Sequence, residues 1–196
     1  MSKHLIYSFY CMALVLANVL ASRIGQIGIF SVAGNPLAYV TCFLFCDIMN
    51  EKYGEVEARK LVNTGFIVSI GYLLLLYSTY LIPANDVSFD QSFKTVFNNS
   101  YRFIVASLSA YLISNHIDIK IFSYFRNKGK GKVSRKVAST LIGQFADSLV
   151  FALIAFIGVL DIKTIIVVIL SEYLIKTIIN LLETPVYCLL TGKEKE

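Results

Sequence analysis

Six apolar stretches cover most of this chain of 196 residues. Each approaches or exceeds the roughly 18–20 apolar residues that span a bilayer as an α-helix. A composition of 56% hydrophobic and 16% charged residues is also too apolar for an ordinary soluble domain. We therefore predict an all-α integral membrane protein, with residues 1–196 forming a single transmembrane domain that is a six-transmembrane-helix bundle. The predicted spans are residues 5–22, 27–46, 61–83, 103–125, 137–160 and 162–190.

The positive charges predict the orientation of the chain in the membrane. If both termini are cytoplasmic, the outer loops carry only Arg23, Lys94 and Lys163. The inner segments then carry twelve basic residues, which are Lys3, Lys52, Arg59, Lys60, Arg126, Lys128, Lys130, Lys132, Arg135, Lys136, Lys193 and Lys195. Because cytoplasmic loops are enriched in Lys and Arg, we expect cytoplasmic N and C termini. The basic run at 126–136 has no interleaved aromatic residues, so we predict an inner loop there and no direct nucleic acid binding.

The first span raises two questions, one of processing and one of packing. It follows Lys3 as a signal peptide would, but it is long for that role and is interrupted by Asn18, which favours a retained helix. A small-xxx-small repeat in the span permits close helix packing, either inside the protein or against a partner. The repeat consists of Ala13, Ala17 and Ala21.

The four cysteines all lie in apolar spans. Cys42 and Cys46 share a helical face, but neither His4 nor His116 is near them in sequence. We therefore predict buried reduced thiols, with no metal site and no cofactor.

The start of the second span contains Gly34-Asn35-Pro36. Proline lacks a backbone donor and disfavours helix in the residue before it. The segment 27–35 is therefore expected to be a turn or a short broken helix, with the main helix beginning at Pro36. Broken helices in transporters often form the substrate site, whereas an interfacial turn would have no such role.

The same span ends in a polar patch. Asp47, Asn50 and Glu51 are spaced i, i+3, i+4 and share one helical face. Carboxylates within a membrane are costly unless they are paired or face water, so this patch indicates a functional site or its gate. The alternative is a helix end that emerges into the cytoplasm.

The fourth and fifth spans each carry a polar stripe. In the fourth span the stripe lies at i, i+4, i+7, i+8 and i+11, and consists of Ser107, Tyr111, Ser114, Asn115 and Asp118. In the fifth span Gln144 and Asp147 lie one turn apart, with Asp147 about ten residues from each end. A carboxylate near the midplane beside an amide makes Asp147 the best single candidate for a binding residue. The alternatives are a structural hydrogen bond or an ion pair with Arg102 or Lys176.

The sixth span holds Glu172, Lys176, Asn180 and Glu183 on one face. Glu172 and Lys176 are spaced for an i, i+4 ion pair, which could be structural or could bind substrate. Pro185 predicts a kink or a helix end. Since three spans carry polar stripes that a simple anchor would not need, we predict a helical bundle around a polar cavity, either a carrier or a membrane-bound binding protein.

Several motifs along the chain resemble those of the queuosine precursor transporter family of vitamin uptake transporter-like proteins. The most specific is Asp47-Ile48-Met49-Asn50-Glu51-Lys52-Tyr53-Gly54. The others are Asn18-Val19-Leu20-Ala21-Ser22-Arg23, Pro36-Leu37-Ala38-Tyr39, Ala58-Arg59, Ala106-Ser107, Ser114-Asn115-His116-Ile117-Asp118 with Phe122, Ser139-Thr140-Leu141-Ile142-Gly143-Gln144 with Asp147, and Tyr173, Lys176 and Thr184-Pro185. Asn35 departs from the aromatic residue that usually precedes the proline in that family.

The resemblance implies a six-span, multi-pass protein of the bacterial inner membrane. It implies uptake of a 7-deazaguanine base, which is preQ0, preQ1 or queuine, for the synthesis or salvage of the queuosine of transfer RNA. It implies no enzymatic activity. The partners expected are the nucleobase substrate and the lipid bilayer, with a second copy of the chain or an energising partner left open.

The chemistry of such a base suggests roles for the polar residues. Asp147 or Asp118 would accept hydrogen bonds from N1–H and the 2-amino group, while Gln144 or Asn115 would donate to O6. Tyr39 and Phe43 would stack on the rings. The residues expected in ion pairs or in an inner gate are Asp47, Asn50, Glu51, Arg59, Glu172 and Lys176.

Two alternatives to a self-sufficient carrier are kept. One is the membrane-embedded substrate-binding subunit of an energy-coupling-factor-type importer, which would need a separate energising module. The other is a membrane enzyme or assembly protein, which the sequence disfavours because it has no nucleotide-binding glycine loop and no nucleophile–base pair on one face.

Overall fold

The computed structural model of the protein describes residues 1–20, 24–27, 30–33, 36–97 and 101–192. Predictions that involve Ala21, Arg23, Asn35, Lys193 and Lys195 lie outside the described residues. The elements are α1 (Lys3–Leu20), β1 (Ile24–Ile27), β2 (Phe30–Ala33), α2 (Pro36–Tyr53), α3 (Glu55–Tyr80), α4 (Val87–Phe97), α5 (Tyr101–Asn127), α6 (Lys132–Phe156) and α7 (Ile162–Thr191).

The prediction of a helical membrane protein is confirmed. Within the described residues, α1, α3, α6 and α7 are long and apolar enough to cross a bilayer. Helices α2, of 18 residues, and α5, of 27 residues, are comparable in length but more polar. Helix α2, for example, contains three charged residues, which are Asp47, Glu51 and Lys52. These two polar helices nevertheless pack inside the bundle, which gives them partners for their polar groups.

The described residues before α2 form two paired β-strands rather than a broken helix, so the helix of the second predicted span begins at Pro36 and not at residue 27. Strands β1 and β2 pair antiparallel, with Ile24 opposite Ala33 and Ile27 opposite Phe30. The predicted helix start at Pro36 is confirmed. The physical reason is that proline fits the first helical turn, where its missing donor is not needed, but disfavours helix immediately before it.

The segment between the third and fourth predicted spans contains helix α4, whose last turns are supported by an ion pair of 2.6 Å between Asp90 and Lys94 at i, i+4. Helix α7 agrees with the predicted span of residues 162–190. It contains Pro185 and continues to Thr191, so the alternative of a helix end at Pro185 is wrong.

Small residues allow the helices to approach closely. Ala13 and Ala17 are buried at 4% and 2% exposure, so this part of the alanine repeat packs inside the protein. A Cβ built on Gly65 of α3 would lie 2.5 Å from the Tyr111 hydroxyl oxygen, and one on Gly143 of α6 would lie 2.9 Å from the Asp118 Cβ. Both glycines therefore set the distance between their helix and α5.

The bundle is apolar outside, and its interior combines an apolar core with buried polar groups. Large apolar side chains point outward along the long helices, including Leu75, Leu182 and Leu189, at 72%, 72% and 82% exposure. Many polar and charged side chains are buried between α2, α5, α6 and α7. Outward apolar side chains together with buried polar groups are expected of a protein whose outer surface meets lipid and whose interior holds polar chemistry.

Candidate functional site

Buried polar side chains form three levels between the antiparallel helices α2 and α6. The Asp147 level comprises Tyr39, Ser114, Asp147 and Lys176. The Asp118 level comprises Asp47, Asp118, Lys136 and Thr140. The Glu51 level comprises Glu51, Lys132, Arg135 and Tyr187. Helix α5 supplies Ser114 and Asp118, and α7 supplies Lys176 and Tyr187, so all four helices meet around this polar interior.

The Asp147 level is fully hydrogen-bonded. The Tyr39 hydroxyl donates to Oδ1 of Asp147 at 2.7 Å, and the Ser114 hydroxyl donates to the same oxygen at 3.3 Å. The Lys176 ammonium donates to Oδ2 at 2.9 Å and to Oε2 of Glu172 at 3.1 Å. Lys176 also lies 5.4 Å from the centre of the Tyr39 ring. Each oxygen of Asp147 therefore has a donor, and a cation neutralises its charge.

The contacts of Asp147 include one of the alternatives predicted for it, an ion pair. The structure contains the ion pair with Lys176, and Asp147 is only 3% exposed. A buried carboxylate that is held by an ammonium and two hydroxyl groups is stable in place, and displacing those donors would leave a costly uncompensated charge. Tyr39, expected to stack on a ligand, instead directs its hydroxyl at this carboxylate.

The Asp118 level contrasts with this. Asp47 has a hydrogen bond from the Thr140 hydroxyl at 3.2 Å, and the Lys136 ammonium lies 3.6 Å from the same oxygen, Oδ2. Asp118 is 1% exposed, and neither of its oxygens has a hydrogen-bond partner among the described residues. Both carboxyl groups lie against the same part of α6: Asp47 accepts from Thr140, and Oδ1 of Asp118 would lie 3.4 Å from a Cβ built on Gly143, one turn further along.

We use the term open polar atoms for buried polar side-chain atoms that have no hydrogen-bond partner among the described residues. Around the Asp118 level they include both amide atoms of Gln144, Oδ1 of Asn115 and Nδ2 of Asn180. Asn115 uses its amide nitrogen to donate to the Tyr111 carbonyl at 2.9 Å. Because buried polar groups are almost always hydrogen-bonded in proteins, a group of open polar atoms needs an explanation such as a ligand site.

An aromatic ring and a glycine lie beside these atoms. A Cβ built on Gly143 would meet Phe43 at 3.3 Å as well as Asp118. Phe43 is fully buried and packs edge-on against Tyr39 at 5.8 Å between ring centres. The region between the Asp147 and Asp118 levels therefore offers a carboxylate, amide donors and acceptors, and an aromatic ring, which are the groups that recognise a flat polar heterocycle.

The Glu51 level lies nearest the loop between α5 and α6. Arg135 donates to Oε1 of Glu51 at 2.6 Å, Lys132 lies 4.0 Å from the same oxygen, and the Tyr187 hydroxyl donates to Oε2 at 3.5 Å. This set of charges ties together α2, α6 and α7. It therefore closes the end of the bundle at which the Lys- and Arg-rich segments lie.

The gate cluster predicted for Asp47, Asn50, Glu51 and Arg59 does not form as one unit. Arg59 is paired with Glu55 one turn earlier on α3, at 2.6 Å. Asn50 donates to the Ile119 carbonyl and to Ser123, both at 3.3 Å, and so binds α2 to α5. The correction has a physical reason: Arg59 finds a carboxylate on its own helix, which costs less ordering than a partner across the bundle.

Lys136 and Arg135 belong to the site, although both were predicted to lie in the inner loop. Helix α6 begins at Lys132, so Lys136 lies on the same face as Thr140, Gln144 and Asp147. The i, i+4, i+8, i+11 spacing of these four residues was the signal that could have identified Lys136. Among the described residues, no group of histidine, cysteine, aspartate and glutamate could hold a metal ion.

Comparison with known proteins places the chain in a family. A family model described as "Putative vitamin uptake transporter" matches residues 33–190, which include all four helices of the three levels. The chain is similar to a Bacillus subtilis (strain 168) protein named "Probable queuosine precursor transporter", with 29% identity over 178 residues that cover 88% of this chain and 77% of that protein. No solved structure matches the chain. The resemblance predicted from the sequence is confirmed: this chain belongs to the vitamin uptake transporter family.

Proposed function

We propose that this protein is a six-span carrier of the bacterial inner membrane that takes up queuosine precursors, with both termini in the cytoplasm. The family supports a transport function, and the name of the Bacillus subtilis relative supports this substrate class. The single observation that carries the binding site is the Asp118 carboxylate on α5, whose two oxygens are open polar atoms, as are both amide atoms of Gln144 on the adjoining helix α6.

The donor pattern of a 7-deazaguanine base fits these atoms. Its N1–H and 2-amino groups are adjacent donors that one carboxylate accepts together, and its O6 accepts one hydrogen bond. Asp118 would accept the two donors, and the Gln144 amide would donate to O6. Phe43 would pack against the flat rings, and Asn115 would offer its free carbonyl oxygen.

Asp118 suits this role better than Asp147. A ligand at Asp147 would have to displace Tyr39, Ser114 or Lys176 from a carboxylate that these three already satisfy. A ligand at Asp118 would instead give partners to atoms that have none among the described residues. A base that lacks the 2-amino group would leave that carboxylate partly unsatisfied, and the site would reject it.

The position of the Glu51 level supports the proposed orientation. Glu51, Arg135 and Tyr187 lie at the end of the bundle that carries the basic residues expected in the cytoplasm. They would form the closed inner gate, and the buried Asp118 level would lie beyond it toward the membrane centre. Release of the base into the cytoplasm would then require the ion pair between α2 and α6 to separate.

The test is the queuosine content of transfer RNA in a bacterium that lacks its own precursor synthesis and uptake. The strain retains the downstream enzymes, expresses only this protein, and receives each precursor separately at low concentration. Restored queuosine is expected for at least one precursor, and it would also show that no separate energising subunit is needed. Glu55→Gln, which changes only a surface ion pair, should restore queuosine equally, whereas Asp118→Asn should not.

Two results would change the proposal. If the protein is in the membrane but restores no queuosine with any precursor, the self-sufficient carrier is wrong. Restoration only after an energising module is co-expressed would instead identify the protein as the substrate-binding subunit of an energy-coupling-factor-type importer.

A further inference from the structure

The Asp118 level contains more negative than positive charge. Asp47 on α2 and Asp118 on α5 are 0% and 1% exposed, and the Lys136 ammonium lies 3.6 Å from Asp47. Lys176 does not compensate for this excess, because it already binds Asp147 and Glu172. Two buried carboxylates beside one ammonium therefore leave one negative charge without a counter-charge, which is costly in a low-dielectric interior.

The neighbouring titratable groups do not supply the missing positive charge. Those that interact with the pair are Cys46 on α2, together with Glu183 and Tyr187 on α7. Glu183 accepts a hydrogen bond from Thr41 at 3.0 Å and adds negative charge to the region. A thiol and a phenol are neutral in their ordinary state. The excess at Asp47 and Asp118 is therefore not relieved from α2 or α7.

The hydrogen-bonding pattern indicates how the excess negative charge at Asp47 and Asp118 is relieved. Ionised carboxylates are acceptors only, so two of them that face each other cannot form a hydrogen bond. Oδ1 of Asp47 and both oxygens of Asp118 are open polar atoms. A single proton on either carboxyl group converts the facing pair into a donor and an acceptor, gives both groups a partner, and restores neutrality with Lys136.

We propose that the Asp47–Asp118 pair is a proton-binding site that holds one proton shared between the two carboxyl groups at neutral pH. The proton comes from water on the side to which the site opens, and no covalent bond other than the carboxyl O–H forms or breaks. The pair titrates as one unit, so the proton belongs to both residues.

The proton site has a consequence for transport, and this consequence rests on the proposed function. A singly protonated pair leaves lone pairs on Asp118 that accept the donors of the base. Without the proton, the base would bind beside one uncompensated negative charge. Proton and base are therefore expected to occupy the site together, so that uptake of one base carries one proton in the same direction.

Infrared difference spectroscopy on the purified protein in lipid nanodiscs tests the proton site directly. A protonated carboxyl group has its own carbonyl stretching band, which shifts when the solvent is exchanged for heavy water. We expect this band at neutral pH in the wild-type protein, its loss in both Asp47→Asn and Asp118→Asn, and its retention in the matched control Glu55→Gln. Lys136→Gln should increase the band, because neutrality then requires a second proton.

The wild-type spectrum keeps the test valid if a variant does not fold. Absence of the band from the wild-type protein at neutral pH would overturn the proton site. Persistence of the band in folded Asp47→Asn and Asp118→Asn would overturn it as well, since the proton would then lie elsewhere.

Vesicles that contain the protein and a pH-sensitive dye separate the two proposals. Addition of a transported base should acidify the lumen of wild-type vesicles. Uptake of the base without acidification would overturn the coupling and leave the proposed carrier function intact. A carboxyl band with the expected variant pattern, but no uptake of any precursor, would refute the proposed function and support the proton site.

Discussion

The Asp147 and Asp118 levels are built from the same helices, yet they treat a buried carboxylate in opposite ways. Asp147 is 3% exposed and Asp118 is 1% exposed, so burial does not distinguish them. Their partners do: Asp147 has a lysine and two hydroxyl groups, whereas both oxygens of Asp118 are open polar atoms. In a membrane bundle, a satisfied carboxylate fastens helices together, and an open one is free to bind a ligand.

The contrast also separates stability from function. The Asp147 level links α2, α5, α6 and α7 through one carboxylate, so its loss should loosen the bundle. The Asp118 level contributes few hydrogen bonds of its own, and a single ammonium accompanies its two carboxyl groups. A site that keeps open atoms lowers stability in the absence of ligand, and ligand binding can recover that loss. Substitutions at the two levels should therefore affect different measurements.

The largest effect is expected from Lys176→Met. The substitution leaves Asp147 buried with two hydroxyl donors and no cation, which typically costs about 3–5 kcal/mol when one partner of a buried ion pair is removed. Thermal unfolding in detergent, or the yield of monodisperse protein, should fall sharply. Addition of Asp147→Asn to this variant should recover much of the loss. Wild-type stability for Lys176→Met alone would contradict a fastening role for the Asp147 level.

Asp118→Asn should give the opposite result. It leaves Asp47 ionised beside Lys136, so the level stays neutral without the shared proton, and the free energy of unfolding should stay within about 0.5 kcal/mol of wild type. Hydrogen bonds to charged groups contribute about 1.5–3 kcal/mol, so the affinity for the base should fall by roughly 10- to 100-fold. Equilibrium binding in detergent measures this change. Unchanged affinity in a folded variant would place the base elsewhere.

The sequence predicted the polar interior of the bundle better than the partners within it. Asn115, Asp118, Gln144 and Asp147 were expected to face away from lipid, because their helical spacing places them on common faces. The ranking of Asp147 above Asp118 as a binding residue was based on depth in the span, and it could not include the donors from other helices. Hydrogen bonds across a bundle depend on helix rotation and approach, which spacing within one helix does not determine.

Boundaries were predicted where a single residue imposes them and missed where tertiary packing does. Pro36 starts α2 as expected, since proline restricts its own neighbourhood. At Pro185, in contrast, one predicted alternative was a helix end, and α7 continues to Thr191. The start of α6 at Lys132 was also missed, and with it the place of Lys136 in the Asp118 level. A basic residue in a presumed loop gives no local sign that it will be buried against a carboxylate.

The spacing between the two levels can be tested through Gly143. A Cβ at this position would meet Asp118 at 2.9 Å and Phe43 at 3.3 Å, so Gly143→Ala should push α5 away from α6. Overpacking of this kind typically costs about 1–3 kcal/mol, and we expect this cost to exceed the gain in helix propensity. The melting temperature and the affinity for the base should both fall. The matched control is Gly71→Ala on α3, where the new Cβ meets nothing within 4 Å. Equal stability of the two variants would contradict close packing at Asp118.

The smallest effect should come from a carboxylate outside the bundle. Asp161 precedes α7 and accepts hydrogen bonds from the Thr164 hydroxyl at 2.6 Å and from the Thr164 backbone N–H at 3.0 Å. These donors, the hydroxyl first, hold the pKa of Asp161 below its ordinary value. Asp161→Ala removes the N-cap and should lower the melting temperature slightly at neutral pH. Asp161, like Asp147, has hydrogen-bond donors. Asp161 also lies in water, which can bind those donors when the carboxylate is removed, so its loss costs little.

The pH dependence of that small effect sharpens the comparison. Because the pKa of Asp161 is lower in the folded than in the unfolded protein, its contribution is complete above the unfolded value of about 3.9 and is lost as the pH falls through the folded value. The difference in melting temperature between wild type and Asp161→Ala should therefore shrink only in strong acid. A difference for Asp161→Ala that does not change with pH would show that the Asp161 charge plays no part in capping α7.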